Sequence, residues 1–391
     1  MLPYGRQTIE DDDIAAVSAA LRSDFLTTGP LVDTFENRFS AASGAKHAVA
    51  CNSGTAALHL AALALDLKAG ETAIVPSVTF LASANAMRMT GAEVFFADVD
   101  PESGLMTEAT LEEALLLARK YRREIRAAVP VHLNGRICDM RSLGNVAERN
   151  GFALIEDACH ALGVPSVGAN EYSRFACFST HPVKMIATGE GGVVTTQDEA
   201  AAGRMRKLRS HGMIHAADEL RQREEGFEGG EKRSWYYEMQ EIGWNYRIPD
   251  VLCALGISQL QKLARFLARR EEIARLYDRL LAPLAPMLKP VPRGNDPHGL
   301  HLYAVLVDFA KLGTTRAKFM QALRAENVGT QVHYFPVHRQ PYYRDRYGER
   351  SLPGADAYYE RCLSIPVFPS MTDGDVERVV AMLAQLVTGT R

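Results

Sequence analysis

The sequence contains no C-x-x-C pair, and its cysteines at 51, 138, 159, 177, 253 and 362 are scattered. Most of them sit inside apolar runs, so they read as small core residues in a reducing compartment rather than as a disulfide framework. No apolar run approaches the length needed to span a bilayer, and the start, Met1-Leu-Pro-Tyr-Gly, lacks the charged and apolar regions of a signal peptide. A cytoplasmic protein with no membrane contact is expected. Large excess charge is also missing. The formal net charge is -3, with acids and bases mixed along the chain, so nothing offers an electrostatic grip on nucleic acid. Internal repeats and low-complexity segments are absent, and no metal-ligand spacing stands out. What remains is an ordinary globular composition, 47% hydrophobic and 23% charged over 391 residues. That is enough chain for one large domain and a smaller one.

The order of elements carries the fold. The acidic run Glu10-Asp-Asp-Asp13 suits the positive end of a helix over 14–21, and a second helix covers 31–42. Short apolar strands then alternate with helices. Strands are expected at 46–51, 72–75, 93–97, 127–131 and 152–155, with helices at 56–65, 80–89, 110–121 and 140–149 between them. The run at 152–155 does not alternate, so it is buried on both faces. This pattern predicts an α/β protein whose mostly parallel sheet is covered by helices on both faces. The charged, glycine-bearing stretch 221–233 reads as a mobile solvated loop. One long helix over 255–277 leads out of the large domain, and Pro283, Pro286, Pro290 and Pro292 follow it. The expected division is a large domain, 1–260, and a smaller α+β domain, 261–391. The second would be built from a strand at 301–307, a helix from Thr315, a segment at 328–334 and a terminal helix from Asp373.

Chemistry concentrates in residues 175–192. A buried strand at 175–178 breaks at Ser179 and passes Lys184 before a glycine-rich turn and a second strand at 193–196. An ammonium held between buried strands is poorly solvated, so its pKa falls and more of it is free amine, as Schiff-base chemistry requires. The plain alternative is a loop lysine in water. Ligands of open parallel sheets sit beyond the carboxyl ends of the strands. There Asn52-Ser53-Gly54-Thr55 precedes an apolar helix, either as an anion site or as a plain N-cap. Asp157 ends the buried strand, where it can pair with a protonated pyridine nitrogen or cap the next helix. Ser179 can donate to the same phosphate, and Phe80 can stack on the ring or pack in the core.

This ordered set resembles the DegT/DnrJ/EryC1/StrS sugar aminotransferases, which are fold type I enzymes dependent on pyridoxal 5'-phosphate. The likeness runs through nearly the whole chain. It rests on Thr27-Thr-Gly-Pro30, Ser53-Gly54-Thr55, Pro76-Ser-Val-Thr-Phe80, Glu156-Asp157-Ala158 with His160, Phe178-Ser179 to Lys184, Gly189-Glu-Gly-Gly192 and Gly243-Trp-Asn-Tyr-Arg247. The resemblance implies that Lys184 carries the cofactor, Asp157 pairs with its ring nitrogen and His160 lies near its ring hydroxyl. Ser53, Gly54, Thr55 and Ser179 would hold the phosphate, Phe80 would stack, and Asn245 would reach in from the second subunit of a homodimer. A turn asparagine bonded to its own backbone is the alternative for Asn245.

Within the family the likeness is closest to the 4-aminotransferases of the pseudaminic acid pathway, through Leu208-Arg-Ser-His-Gly212, Gln331-Val-His-Tyr334, Pro336-Val-His338 and Gln340-Pro-Tyr-Tyr343. These enzymes move an amino group from L-glutamate to a UDP-linked 4-keto-6-deoxy-N-acetyl hexosamine. His333, His338 and Arg339 are candidates for the sugar diphosphate, against the alternative of solvated side chains. Asn134-Gly-Arg136 and the segment 163–172 depart from the family pattern and are expected near the sugar. A GDP-linked keto sugar is the competing substrate. A non-catalytic pyridoxal- or nucleotide-binding regulator is the competing class, and the pairing of Lys184 with Asp157 speaks against it.

Overall fold

The computed structural model describes residues 1–293 and 299–389. Helix α1 (Asp11–Leu21) starts on the acidic run, where Asp13 accepts a hydrogen bond from the Glu10 N–H (2.9 Å), and α2 (Pro30–Ser43) follows. The alternating part comprises β1 (His47–Cys51), α3 (Gly54–Ala64), β2 (Glu71–Pro76), α4 (Leu81–Met89), β3 (Glu93–Ala97), α5 (Glu108–Lys120), β4 (Glu124–Ala128), α6 (Met140–Asn150) and β5 (Ala153–Asp157). Strands β6 (Phe175–Ser179) and β7 (Gly192–Thr196) complete one seven-stranded sheet in the order β1-β7-β6-β5-β4-β2-β3. Only β7 runs against its neighbours. This is the architecture of the fold type I aminotransferases.

Both faces of the sheet are covered. Val49, Cys51, Phe175, Cys177 and Val194 belong to one core with α3 to α6. Their alternate neighbours Ala48, Ala50, Ala176, Phe178 and Val193 belong to another, with Phe35 and Phe39 of α2. The strand period of two deals successive side chains to opposite faces, which is why these strands read as unbroken apolar runs.

Strand β4 begins three residues before the sequence suggested. Glu124 and Arg126 are at its start, so its first half has no apolar signature. Pro130, placed in the expected strand, has no N–H to extend the ladder. The stretch 221–233 is also more ordered than a solvated loop. It forms a short helix, Arg223–Gly226, and a hairpin pairing Phe227–Glu228 with Glu231–Lys232 across Gly229 and Gly230 at φ of 60° and 90°. The Glu238 carboxylate accepts the N–H groups of Arg221 (2.9 Å) and Gln222 (2.7 Å) at its base.

The long helix spans Asp250–Leu281, and residue 260 lies within it. Its first half packs Cys253 and Leu263 with α2, and its second half packs Ile273, Tyr277 and Leu281 into a separate core. That core covers a three-stranded antiparallel sheet of Leu288–Pro290, Tyr303–Val307 and Cys362–Ile365. Residues 328–334 make only isolated bridges, Leu2 with Val328 and Gln331 with Ser364. By length and composition the long helix is the one among the described residues that could cross a membrane, a feature the sequence reading did not pick out. Here its apolar side chains serve two protein cores, and it carries the buried Arg270.

Candidate active site

The site lies where the carboxyl ends of β1, β5 and β6 converge. At the first, Ser53 caps α3 by accepting the Ala56 N–H (3.1 Å). The Gly54 and Thr55 N–H groups are left pointing forward, as the first donors of any helix are. Gly54 is forced by contact. A Cβ there would lie 2.9 Å from Ser179 Cβ, so only glycine lets the β6 end touch the α3 N-terminus. Backbone donors and the hydroxyls of Thr55 and Ser179 thus share one end of a cavity, a fit for a phosphate.

Asp157 ends β5 and is buried. Its Oδ2 accepts from Ser83 Oγ (2.6 Å) and its Oδ1 from the Cys159 N–H (3.2 Å). The preceding Glu156 faces the other way. Its Oε2 accepts from His132 Nε2 (2.8 Å), because His132 Nδ1 is already accepting the Cys138 N–H (3.2 Å). Adjacent carboxylates on one strand therefore take separate tasks, one structural and one lining the cavity.

Lys184 follows β6 on its loop. Burial holds its pKa below the ordinary lysine value, partly opposed by Cys159 and Asp157. Among the described residues no side-chain ion pair or hydrogen bond holds its ammonium. Phe80 is 56% exposed, so it is no core aromatic, and its ring lies 5.9 Å from that of Tyr334. His160 accepts the Asn134 N–H at Nδ1 (3.2 Å), which leaves its proton on Nε2, 3.3 Å from the Tyr334 hydroxyl. Burial and the nearby Lys184 keep its pKa well below the usual histidine value, so the ring is neutral.

Ser53, Gly54, Thr55, Phe80, Asp157, His160, Ser179, Lys184 and His333 all line one cavity of about 940 Å³. The anion end, the carboxylate, the exposed aromatic and the partnerless lysine fit pyridoxal phosphate in charge and in kind. Three candidates lie elsewhere. His338 is buried beside Ser77, with Nδ1 2.5 Å from Ser77 Oγ. Arg339 is exposed and paired with Asp356 at 3.3 Å. Asn245 is exposed, its backbone carbonyl accepting from Asn52 Nδ2 (3.3 Å) at the cavity rim. His333 lines the cavity, yet burial pushes its pKa down to about 3, so it brings no positive charge. Neither 134–136 nor 163–172 lines the cavity. Asn134 instead supports His160 from behind and donates to the Tyr358 hydroxyl (3.0 Å). Sequence reasoning missed Ser83, Tyr334 and Tyr4 as parts of the site. Only the apolar, turn-free surroundings of Ser83 hinted that its hydroxyl would need a partner.

Comparisons with known proteins identify the family. The profile of the DegT/DnrJ/EryC1/StrS aminotransferase family matches residues 7–384. The spore coat polysaccharide biosynthesis protein SpsC of Bacillus subtilis is 39% identical over 99% of this chain and 97% of its own. Helicobacter pylori PseC, an aminotransferase involved in the biosynthesis of pseudoaminic acid, superposes with a TM-score of 0.88 at 26% identity, covering 99% of both chains. Streptococcus pneumoniae Spr1654 in its PMP form gives a TM-score of 0.88 at 25% identity over 100% of both chains.

Proposed function

The chain belongs to the DegT/DnrJ/EryC1/StrS aminotransferase family, and from that premise we propose that it moves the amino group of L-glutamate to C4 of a UDP-linked 4-keto-6-deoxy-N-acetyl hexosamine, in a pseudaminic-acid type of nucleotide-sugar biosynthesis. The family's cofactor is pyridoxal phosphate. The observation that carries the reading is Lys184, a desolvated lysine without a carboxylate partner, lining the same cavity as Asp157 and the α3 N-terminus. The likeness to PseC supports the choice of sugar.

Bound pyridoxal phosphate supplies an electron sink for the pair left when the donor's Cα–H bond breaks. The protein's part is to hold, orient and move protons. Ser53, Gly54, Thr55 and Ser179 grip the phosphate with hydroxyls and free N–H groups. Asp157, fixed by Ser83 and the Cys159 N–H, would pair with the ring nitrogen. Phe80 would cover a face of the ring, and neutral His160 would offer its Nε2 proton to the ring hydroxyl. Lys184 would anchor the cofactor through its amine, and when free that amine would serve as the base and acid that moves the donor's α proton. With the keto sugar the same two transfers run in reverse, which gives ping-pong kinetics.

A second copy of the chain completes the site in this reading. Among the described residues no arginine lines the cavity, although a sugar diphosphate needs positive charge. Trp235, Met239 and Ile242, just before Asn245, are 71%, 63% and 74% exposed, as a surface awaiting a partner would be. Asn245 would then donate to the neighbour's phosphate across a two-fold interface.

Adding glutamate to the yellow holoenzyme should bleach it, and a panel of keto-sugar nucleotides should restore the colour at different rates. The UDP-linked 4-keto-6-deoxy-N-acetyl hexosamine is expected to be fastest. A GDP-linked sugar winning that race would overturn the substrate, and glutamate leaving the colour unchanged would overturn the donor.

A further inference from the structure

The first ten residues cross both halves of the molecule. Leu2 pairs with the second half, its N–H donating to Asn327 O (2.8 Å) and its carbonyl accepting from the Gly329 N–H (2.8 Å). The Tyr4 carbonyl accepts from the Val367 N–H (3.1 Å). Further on, the strap lies on the Lys184 loop. Gly5 sits 3.6 Å, measured from an ideal Cβ, from Val183 Cβ. Buried Gln259 then fastens both segments together, donating to Thr8 O (3.0 Å) and Asp13 Oδ2 (2.8 Å) while accepting the Ala187 N–H (3.3 Å). A terminal segment pinned at both ends is ordered at an entropic cost, and terminal segments without such ties are usually loose.

What the strap delivers is Tyr4. Its side chain lines the active-site cavity, and its ring centroid lies 5.3 Å from that of His333, tilted by 56°. Among the described residues its hydroxyl makes no hydrogen bond. Burial raises the phenol pKa, so the ring is neutral and half-buried. Its neighbours in the second half of the chain are Gly329, Val367 and His333, whereas the phosphate end is built by β1, α3 and β6. Tyr4 therefore forms the wall of the cavity away from the phosphate.

We propose that Tyr4 is a specificity-determining residue for the second substrate, packing its ring face against the C–H face of the hexose and its 6-methyl group. This rests on the keto-sugar reading above. An aromatic ring with a free hydroxyl at its edge suits a ligand that is apolar on one face and hydroxylated at its rim. Glutamate is small, flexible and doubly charged, and it has no face for a neutral ring to grip.

The test separates the two half-reactions. Each is followed in single turnover by the holoenzyme's absorbance, and binding of the amino-sugar product is measured by calorimetry. In Tyr4→Ala the glutamate half-reaction should stay within about twofold of wild type, while the sugar half-reaction and product affinity fall about tenfold or more. Tyr4→Phe should keep wild-type values within about threefold, because the ring face is what counts. Equal slowing of both half-reactions, an unchanged sugar step, or a Phe variant as poor as the Ala variant would overturn the proposal. Tyr4→Leu, which keeps the bulk without the flat face, gives the same reading if the Ala variant does not fold. Failure of the wild-type protein to accept the UDP sugar sinks the substrate assignment instead, and the Tyr4 ratio is then read with whichever keto sugar it does accept.

Discussion

Lys262 is buried and Lys184 half-buried, and the two are treated in opposite ways. Lys262, on the long helix, is ringed by Asp12 (2.6 Å), Asp13 (2.8 Å) and Glu10 (3.7 Å). Burial acts to lower its pKa, but the bonds to Asp12 and Asp13 outweigh it and hold it above the ordinary lysine value. Lys184 has no such ring, and burial wins. Gln259, three residues before Lys262, bonds to Asp13 on one side and to the Ala187 N–H on the other, so one side chain joins the two neighbourhoods. Burial alone says little about a lysine's task. The number of carboxylates around it separates a fastener from a reagent.

That contrast can be broken most directly at Lys184. Lys184→Ala should still bind pyridoxal phosphate but lose transamination by about 10⁴-fold, the upper range for losing a general acid–base. Coupled assay of 2-oxoglutarate release checks this, and near-native turnover would remove Lys184 from the mechanism. At Lys262 the effect should fall on folding instead. Lys262→Met leaves the fully buried Asp13 carboxylate without its ion-pair partner, costing about 3 kcal/mol of stability. Urea melts measure it. With the folded pKa raised, the stabilisation by Lys262 is complete below the ordinary value of about 10.4 and is lost as pH rises through the folded value. The urea midpoint difference should therefore shrink only in strongly alkaline buffer.

Asp157→Asn sharpens the comparison from the carboxylate side. It should fold normally but slow the glutamate half-reaction at least about tenfold, one pK unit of lost pyridinium support being about 1.4 kcal/mol. An unchanged rate would leave Asp157 as a structural cap. The smallest effect is the most diagnostic. Because the folded pKa of Lys184 is lowered, the apoprotein bears a penalty below that value which fades as pH rises into the ordinary lysine range. Apo Lys184→Met should then be slightly more stable than wild type at pH 7, with the gap closing as pH rises past the ordinary lysine value of about 10.4. A destabilised variant would mean that Lys184, like Lys262, is a fastener.

Much of this was readable from the residues. Ser53, Asp157 and Ser179 stand out in the sequence because each follows an apolar strand and precedes a turn, a local signal. Long-range partners were not readable. Ser83 reaches Asp157 across 74 positions. Asp250, at the start of the long helix, spends its carboxylate on the N–H groups of Gly29 (2.8 Å) and Leu31 (3.1 Å), capping α2 rather than its own helix. From sequence the helix is expected to begin at 255, five residues after its start at Asp250. His338 was misplaced for a related reason: from sequence a histidine beside Arg339 looks solvated, and only the packing against Phe96 and Ser77 buries it.

The position of β7 sets a schedule for the newborn chain. Among the described residues β1 pairs only with β7, which leaves the ribosome about 140 residues later, a wait of roughly 7–30 s at typical synthesis rates. Until then β1 is an apolar strand without a strand partner, the kind of segment that sticks to other chains. The Ser53–Thr55 turn is held against Gly192, where a Cβ would lie 2.2 Å from Ser53 O. The anion-holding end of the cavity can thus be locked only once roughly half the protein has been made. Translation pauses before residue 192 would lengthen the exposure of β1, and pauses after residue 196 would not.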